Sequence, residues 1–101
     1  MDAAGARKAA LALDGVEESP HFKAASFRLK AGMLATLMPD GATMNIFLPE
    51  EAREQALALH PDALEKLYWG QKAVGVSVRL ADAKAPLVKG LLKQAWAHRS
   101  R

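Results

Sequence analysis

The chain has 101 residues, half of them hydrophobic and a quarter charged, with a formal net charge of +3 and no cysteine. That length suits a single domain over residues 1–101, whose core buries about two-thirds of the unfolded surface without cross-links. Disulfides, thiolate metal sites and cysteine nucleophiles are excluded, and no apolar run reaches the length of a membrane span or signal core, so a cytoplasmic protein is expected.

Residues 3–13 place Ala6, Ala9, Ala10 and Leu13 at helical spacing in an alanine-rich run, which predicts a first helix. Gly15 stands where a left-handed residue would end that helix, and Pro20 forbids its continuation. Residues 26–30 (SFRLK) alternate, Phe27 and Leu29 against Ser26, Arg28 and Lys30, and predict a strand. Ala31-Gly32 is a turn candidate into a second strand at 33–38. Pro39-Asp40-Gly41 predicts another turn, and 42–48 a third strand with Met44, Ile46 and Leu48 inward.

Pro49-Glu50-Glu51 opens a helix over 50–59: proline suits the first turn and carboxylates suit the positive end of the helix dipole. Its buried side is expected to hold Ala52, Ala56 and Leu59, and His60-Pro61 ends it. ALEKLYW (63–69) is ambiguous by period and is read as a strand from about 64 to 69. Residues 73–80 form the clearest strand, with Val74, Val76, Val78 and Leu80 on one face and Gly75, Ser77 and Arg79 on the other. Pro86 starts a helix over 86–98 whose apolar stripe is Leu87, Val88, Leu91, Leu92, Ala95 and Trp96, with Lys89 and Lys93 behind it.

This α-β-β-β-α-β-β-α order predicts an α+β two-layer sandwich, its five mostly antiparallel strands covered on one side by three helices. The uncovered side would then present Arg28, Lys30, Thr43, Asn45, Ser77 and Arg79. Charge is unevenly spread along the chain. Residues 1–49 carry five Lys/Arg against five Asp/Glu, residues 50–68 two against five, and residues 69–101 seven against one, an excess of +6.

Chemistry is hard to find in the residue pattern. Glu17, Glu18 and His21 flank Pro20 and are expected to be a solvated loop handing helix over to sheet, with Phe22 as its hydrophobic anchor. His60 is expected to serve a helix C-terminus, and His98 has no evident partner. No serine sits in a nucleophile context and the seven glycines form no phosphate loop; Gly70 and Gly75 are read as a turn and a close packing contact. Trp69 and Trp96 are expected in the core, although Tyr68-Trp69 beside Gln71-Lys72 resembles an aromatic and basic pairing that stacks on a base. No catalytic residue, metal or cofactor is expected, and the chain is not expected to be an enzyme.

Taken together, ALALDGVEESPHF (10–22), SFRLKAGMLATL (26–37), LPEEAREQALALHPD (48–62), VSVRL (76–80) and LLKQAW (91–96) resemble the MmcQ/YjbR family. The helix-end Gly-Val-Glu-Glu and the late Ala-Trp are the most telling parts. The resemblance implies an α-β(3)-α-β(2)-α sandwich similar to secretion chaperones and frataxin-like proteins. It also implies DNA binding in which two hairpins act as a double wing, and it brings no catalytic residues to carry over to this chain. The sequence departs from the pattern at Ala73-Val74, where many members have Gly-Trp or Pro-Trp, and it reads AHRSR where many relatives continue with Ala-Pro and a basic tail. The expectation is weak, mostly sequence-independent binding of duplex DNA through Arg28, Lys30, Lys72 and Arg79. The alternative is a protein-interaction adaptor, or a small homo-oligomer, using the open sheet face.

Overall fold

The computed structural model describes residues 1–100, apart from the side chain of His21. Among them, in chain order, run α1 (Ala3–Leu11), β1 (Glu17–His21), β2 (Ala24–Leu29), β3 (Gly32–Leu37), β4 (Thr43–Phe47), α2 (Glu50–Leu59), β5 (Leu64–Trp69), β6 (Lys72–Arg79), a 3₁₀ turn (Leu80–Asp82) and α3 (Ala85–Arg99). Asp2 caps α1 by accepting from the Gly5 N–H at 2.8 Å, and α1 stops at Leu11, before the left-handed Gly15 (φ 78°). The amino-terminal ammonium of Met1 donates to the carbonyls of Leu80 and Ala83 at 3.0 and 2.7 Å, tying the start of α1 to the connection into α3.

The sheet has six strands in the order β1-β2-β3-β4-β6-β5, every neighbouring pair antiparallel. The sixth strand corrects the sequence reading of 17–21 as a loop: Glu17 lies opposite Arg28 and His21 opposite Ala24 in a ladder with β2. Nothing apolar marks β1 because it is an edge strand with little to bury, and an edge is where a strand can hold Pro20. Its hold on β2 is polar. The Ser26 hydroxyl donates to the Ser19 carbonyl at 3.0 Å, and the two serine hydroxyls lie 3.2 Å apart. Phe22, expected as an anchor, is instead 95% exposed in the hairpin turn at a φ of 59°. The next turn is shifted by one residue, since Gly32 already pairs with Leu29 and Lys30-Ala31 make the turn.

All three helices pack on one face of the sheet: α3 over β3 and β4, α1 beside it on β3, and α2 over β5 and β6. The core between the layers holds Phe27, Leu34, Met44, Ile46, Val76, Val78 and Leu80 from the sheet, with Ala6, Ala10, Val88, Leu91, Leu92 and Ala95 from the helices. The inward residues of β4, Val76 and Val78 of β6, and the α3 stripe therefore read correctly, whereas Val74, expected inward, is half-buried and lies outside the core. On α2, Ala52 and Ala56 face inward as expected, but Leu59 does not. The inward stripe of α2 runs through Ala52, Arg53, Ala56 and Leu57, which leaves Leu59 66% exposed. At the β4–β6 contact Gly75 is opposite Phe47, and a Cβ there would stand 2.0 Å from the Ile46 carbonyl oxygen, so the two backbones meet where only glycine fits.

Candidate nucleic-acid interface

Antiparallel pairing from β2 across to β5 makes β2, β4 and β5 run in one direction. The turns after β2 and β5, and the exit of β4 into α2, therefore lie at one end of the sheet. The two hairpin turns sit about three strand spacings apart, on the order of 14 Å. Lys30 is in the first turn and Lys72 flanks the second. Arg28 lies beside them on the face away from the helices, opposite Met33. Arg99, in the last turn of α3, reaches the same end, where its guanidinium borders Gly32. None of these four cations has an ion-pair partner among the described residues.

Arg79 is different. It closes β6 at the opposite end of the sheet, roughly 23 Å from Lys72 along the strand. Its guanidinium is engaged by Glu65 at 2.8 Å, by Asp82 at 3.5 Å and by the carbonyls of Pro61 and Asp62. The structure thus brings together three of the four residues singled out from sequence, Arg28, Lys30 and Lys72, and sets Arg79 apart. Arg99 was missed because position along a helix says little about which end of a distant sheet it reaches.

Lys72 owes its place to a break in register. Strict alternation along β6 would put it on the face of Val74, Val76 and Val78, toward the helices. The ladder shifts between Leu67 and Tyr68, so Tyr68 pairs with Ala73 and Trp69 with Lys72. That bulge reverses the facing of the last pair. Trp69, expected in the core, is 60% exposed and lies edge-on to Phe47, ring centroids 5.0 Å apart with 61° between planes.

Two clefts share the wall made by Met33, Phe47 and Trp69. One lies over the sheet face away from the helices, with a volume of about 560 Å³, and has Thr36 and Asn45 in its floor and Met38 on its far side. The other, about 640 Å³, opens between the hairpins at the basic end, where Arg53, Lys72 and Arg99 line it together with Glu50. Arg53 is committed elsewhere, to Glu54 at 2.7 Å and to the Ala73 carbonyl at 3.3 Å. The floor of the first cleft belongs to a polar row in register across all six strands: Ser19, Ser26, Thr36, Asn45, Ser77 and Glu65. A sequence signal for this cleft existed in Phe47, an aromatic on the polar side of a strand whose inward residues are Met44, Ile46 and Leu48.

The acidic groups serve local structure. Glu18 pairs with Arg7 at 3.1 Å, joining β1 to α1. Glu54 bridges Arg53 and Lys66, and these hydrogen bonds, Arg53 foremost, hold its carboxyl below the usual range. Asp40 closes the β3–β4 turn by accepting from the Ala42 N–H at 2.8 Å and from the Thr43 N–H and hydroxyl at 3.1 and 3.2 Å; its carboxyl is lowered, chiefly by the Ala42 bond. The described residues contain no group of three or more potential metal ligands, and the side chain of His21 lies outside them. No helix is long and apolar enough to cross a membrane among the described residues.

Comparison with curated proteins finds no match. Among solved structures, the chain is similar to the crystal structure of the Deinococcus radiodurans protein DR2400, which carries a DUF419 domain. The TM-score is 0.77 at 20% sequence identity, over 94% of this chain and 75% of that one, a likeness that shows the α+β fold. The YjbR family model matches residues 11–98, which takes in the sheet, the hairpins and nearly all of α3. By that match the chain belongs to the YjbR family.

Proposed function

We propose that this protein is a small non-enzymatic nucleic-acid-binding module that grips the phosphate backbone with the basic end of its sheet. One observation carries the reading: the two hairpin turns lie at the same end, and Arg28, Lys30, Lys72 and Arg99 gather there without ion-pair partners among the described residues. Turns about 14 Å apart suit backbone positions on either side of a duplex groove about 12 Å wide. So few cations neutralise only a few phosphates, so binding is weak and mostly indifferent to sequence, in the range of about 10⁻⁴–10⁻⁶ M at physiological salt.

Fluorescence anisotropy on a labelled random duplex at several salt concentrations tests this. Each phosphate contact contributes about 0.9 to the slope of log K against log salt. Arg28→Ala, Lys30→Ala and Lys72→Ala together are expected to flatten that slope, whereas Lys89→Ala with Lys93→Ala, on the exposed side of α3, leaves it unchanged. Absence of binding even at low salt refutes the reading.

A second reading, self-association or protein docking through the uncovered sheet face, draws support from the 60% exposure of Trp69 beside the apolar cleft. Size-exclusion chromatography with light scattering separates the two: a dimer dispersed by Trp69→Ala favours association.

A further inference from the structure

We infer that the cleft under Trp69 receives an unpaired nucleobase, so the protein binds single-stranded nucleic acid in preference to duplex. The inference rests on the nucleic-acid reading above and names the form of nucleic acid that the same end of the molecule takes.

A nucleotide is an amphiphile, with a flat, weakly polar base at one end and an anionic phosphate at the other. The two clefts are arranged as its complement. Around the 560 Å³ cleft the rings of Phe47 and Trp69 and the thioethers of Met33 and Met38 offer apolar walls, and no carboxylate lines it among the described residues. Immediately across the shared Met33–Phe47–Trp69 wall, the 640 Å³ cleft places Lys72 and Arg99 where a phosphate would lie, with Arg28 opposite Met33 on the neighbouring strand. Both volumes fall in the range of small-ligand sites, about 300–1,000 Å³. With Arg53 paired to Glu54, the single Glu50 on the second cleft faces two cations without ion-pair partners among the described residues, Lys72 and Arg99.

The apolar section also has a means of meeting a base edge. The Asn45 side chain, half-buried in the floor, makes one weak contact among the described residues, from its amide nitrogen to the Met38 sulfur at 3.5 Å. Its carbonyl oxygen and second N–H remain to face a donor and an acceptor on a base. Trp69 stands over the cleft in edge-on contact with Phe47, on the strand position paired with Lys72. A paired, stacked base within a duplex cannot bring its face to such a ring; an unpaired one can, as on other single-strand platforms where aromatics and a basic groove act together.

The test compares a short fluorescein-labelled oligothymidine with a duplex of the same length by anisotropy, using wild type, Trp69→Ala and Trp69→Phe. Oligothymidine is expected to bind more tightly than duplex. Trp69→Ala is expected to weaken oligothymidine binding by about tenfold, the scale of one lost base–aromatic stack, and duplex binding by less, so that the preference for the single strand narrows. Trp69→Phe, which keeps an aromatic face and guards against a folding artefact, recovers most of the loss. Equal affinity for the two forms, or no effect of Trp69→Ala on oligothymidine, overturns the inference and leaves backbone binding standing. A dimer that Trp69→Ala disperses gives the cleft to a second copy of the chain and also overturns it. If neither nucleic acid binds at low salt, the nucleic-acid reading itself fails, and this inference with it.

Discussion

Two glycines show how differently one substitution reads at different sites. At Gly75 an added methyl would enter the space of the Ile46 carbonyl, 2.0 Å away, and of the Phe47 Cα at 2.9 Å. Backbone atoms paired in a ladder cannot step aside cheaply. Gly75→Ala is expected to cost at least about 1–3 kcal/mol, seen as a lower urea midpoint. Gly90, inside α3, has nothing within 4 Å of the same position, so Gly90→Ala should stabilise by about 0.5–1 kcal/mol through helix propensity alone. Asp40 carries a pH signature. Its folded pKa is depressed by the bonds that close the β3–β4 turn, the Ala42 N–H first. A depressed carboxylate contributes stability that is present above its unfolded value, about 3.9, and lost as pH falls through the lower folded value. Asp40→Asn should therefore lower the urea midpoint at neutral pH, and its difference from wild type should close as the pH falls below that range.

Among the elements, α3 shows how far periodicity carries. Its stripe of Leu87, Val88, Leu91, Leu92, Ala95 and Trp96 was legible because helical spacing alone decides which side chains share a face. Leu91 is 3% exposed, and Trp96 packs against the core while its indole N–H donates to the Asp14 carbonyl at 2.8 Å. Leu91→Ala is expected to cost about 2–5 kcal/mol and Trp96→Ala about 3–5, against a change within about 0.5 for exposed Lys93→Ala. Calorimetric or urea unfolding checks all three, and equal midpoints for wild type and Trp96→Ala would contradict the packing. β1 was not legible, since an edge strand held by Ser19 and Ser26 has no apolar alternation to read. Nor was the facing of Lys72. The shift in the β5–β6 register arises in pairing between strands, and local composition does not announce it.

At the scale of the whole molecule, charge distribution and topology have to be combined. The +6 excess of residues 69–101 is spread over β6, α3 and their connection, and those elements point its members in different directions. Lys89 and Lys93 face solvent on the helical layer, Arg79 sits at one end of the sheet, and Lys72 and Arg99 sit at the other. Arg79 therefore separates stability from binding. Its pairs with Glu65 and Asp82 are partly exposed and weak, and its bonds to backbone carbonyls join β6 to the segment before β5. Arg79→Ala is expected to lower stability by about 1 kcal/mol and to leave the salt slope of nucleic-acid binding unchanged. A flattened slope in that variant would place the binding face at the other end of the sheet.

From sequence alone came the α+β class, the strands after residue 23, the helices, the inward residues of β4 and α3 and most of those of β6, the family resemblance, and the basic character of the C-terminal third. These depend on spacing within a segment, on turn chemistry and on composition, all of which a linear chain carries. The tertiary structure alone decided that the two hairpin turns share one end, that Arg99 joins Arg28, Lys30 and Lys72 there, that Arg79 does not, and that Trp69 stands out over an apolar cleft. The physical reason is common to all four. Strand order, register and bulges are set by pairing between segments distant in the chain, and an end or a face of the sheet does not exist until those pairings are made.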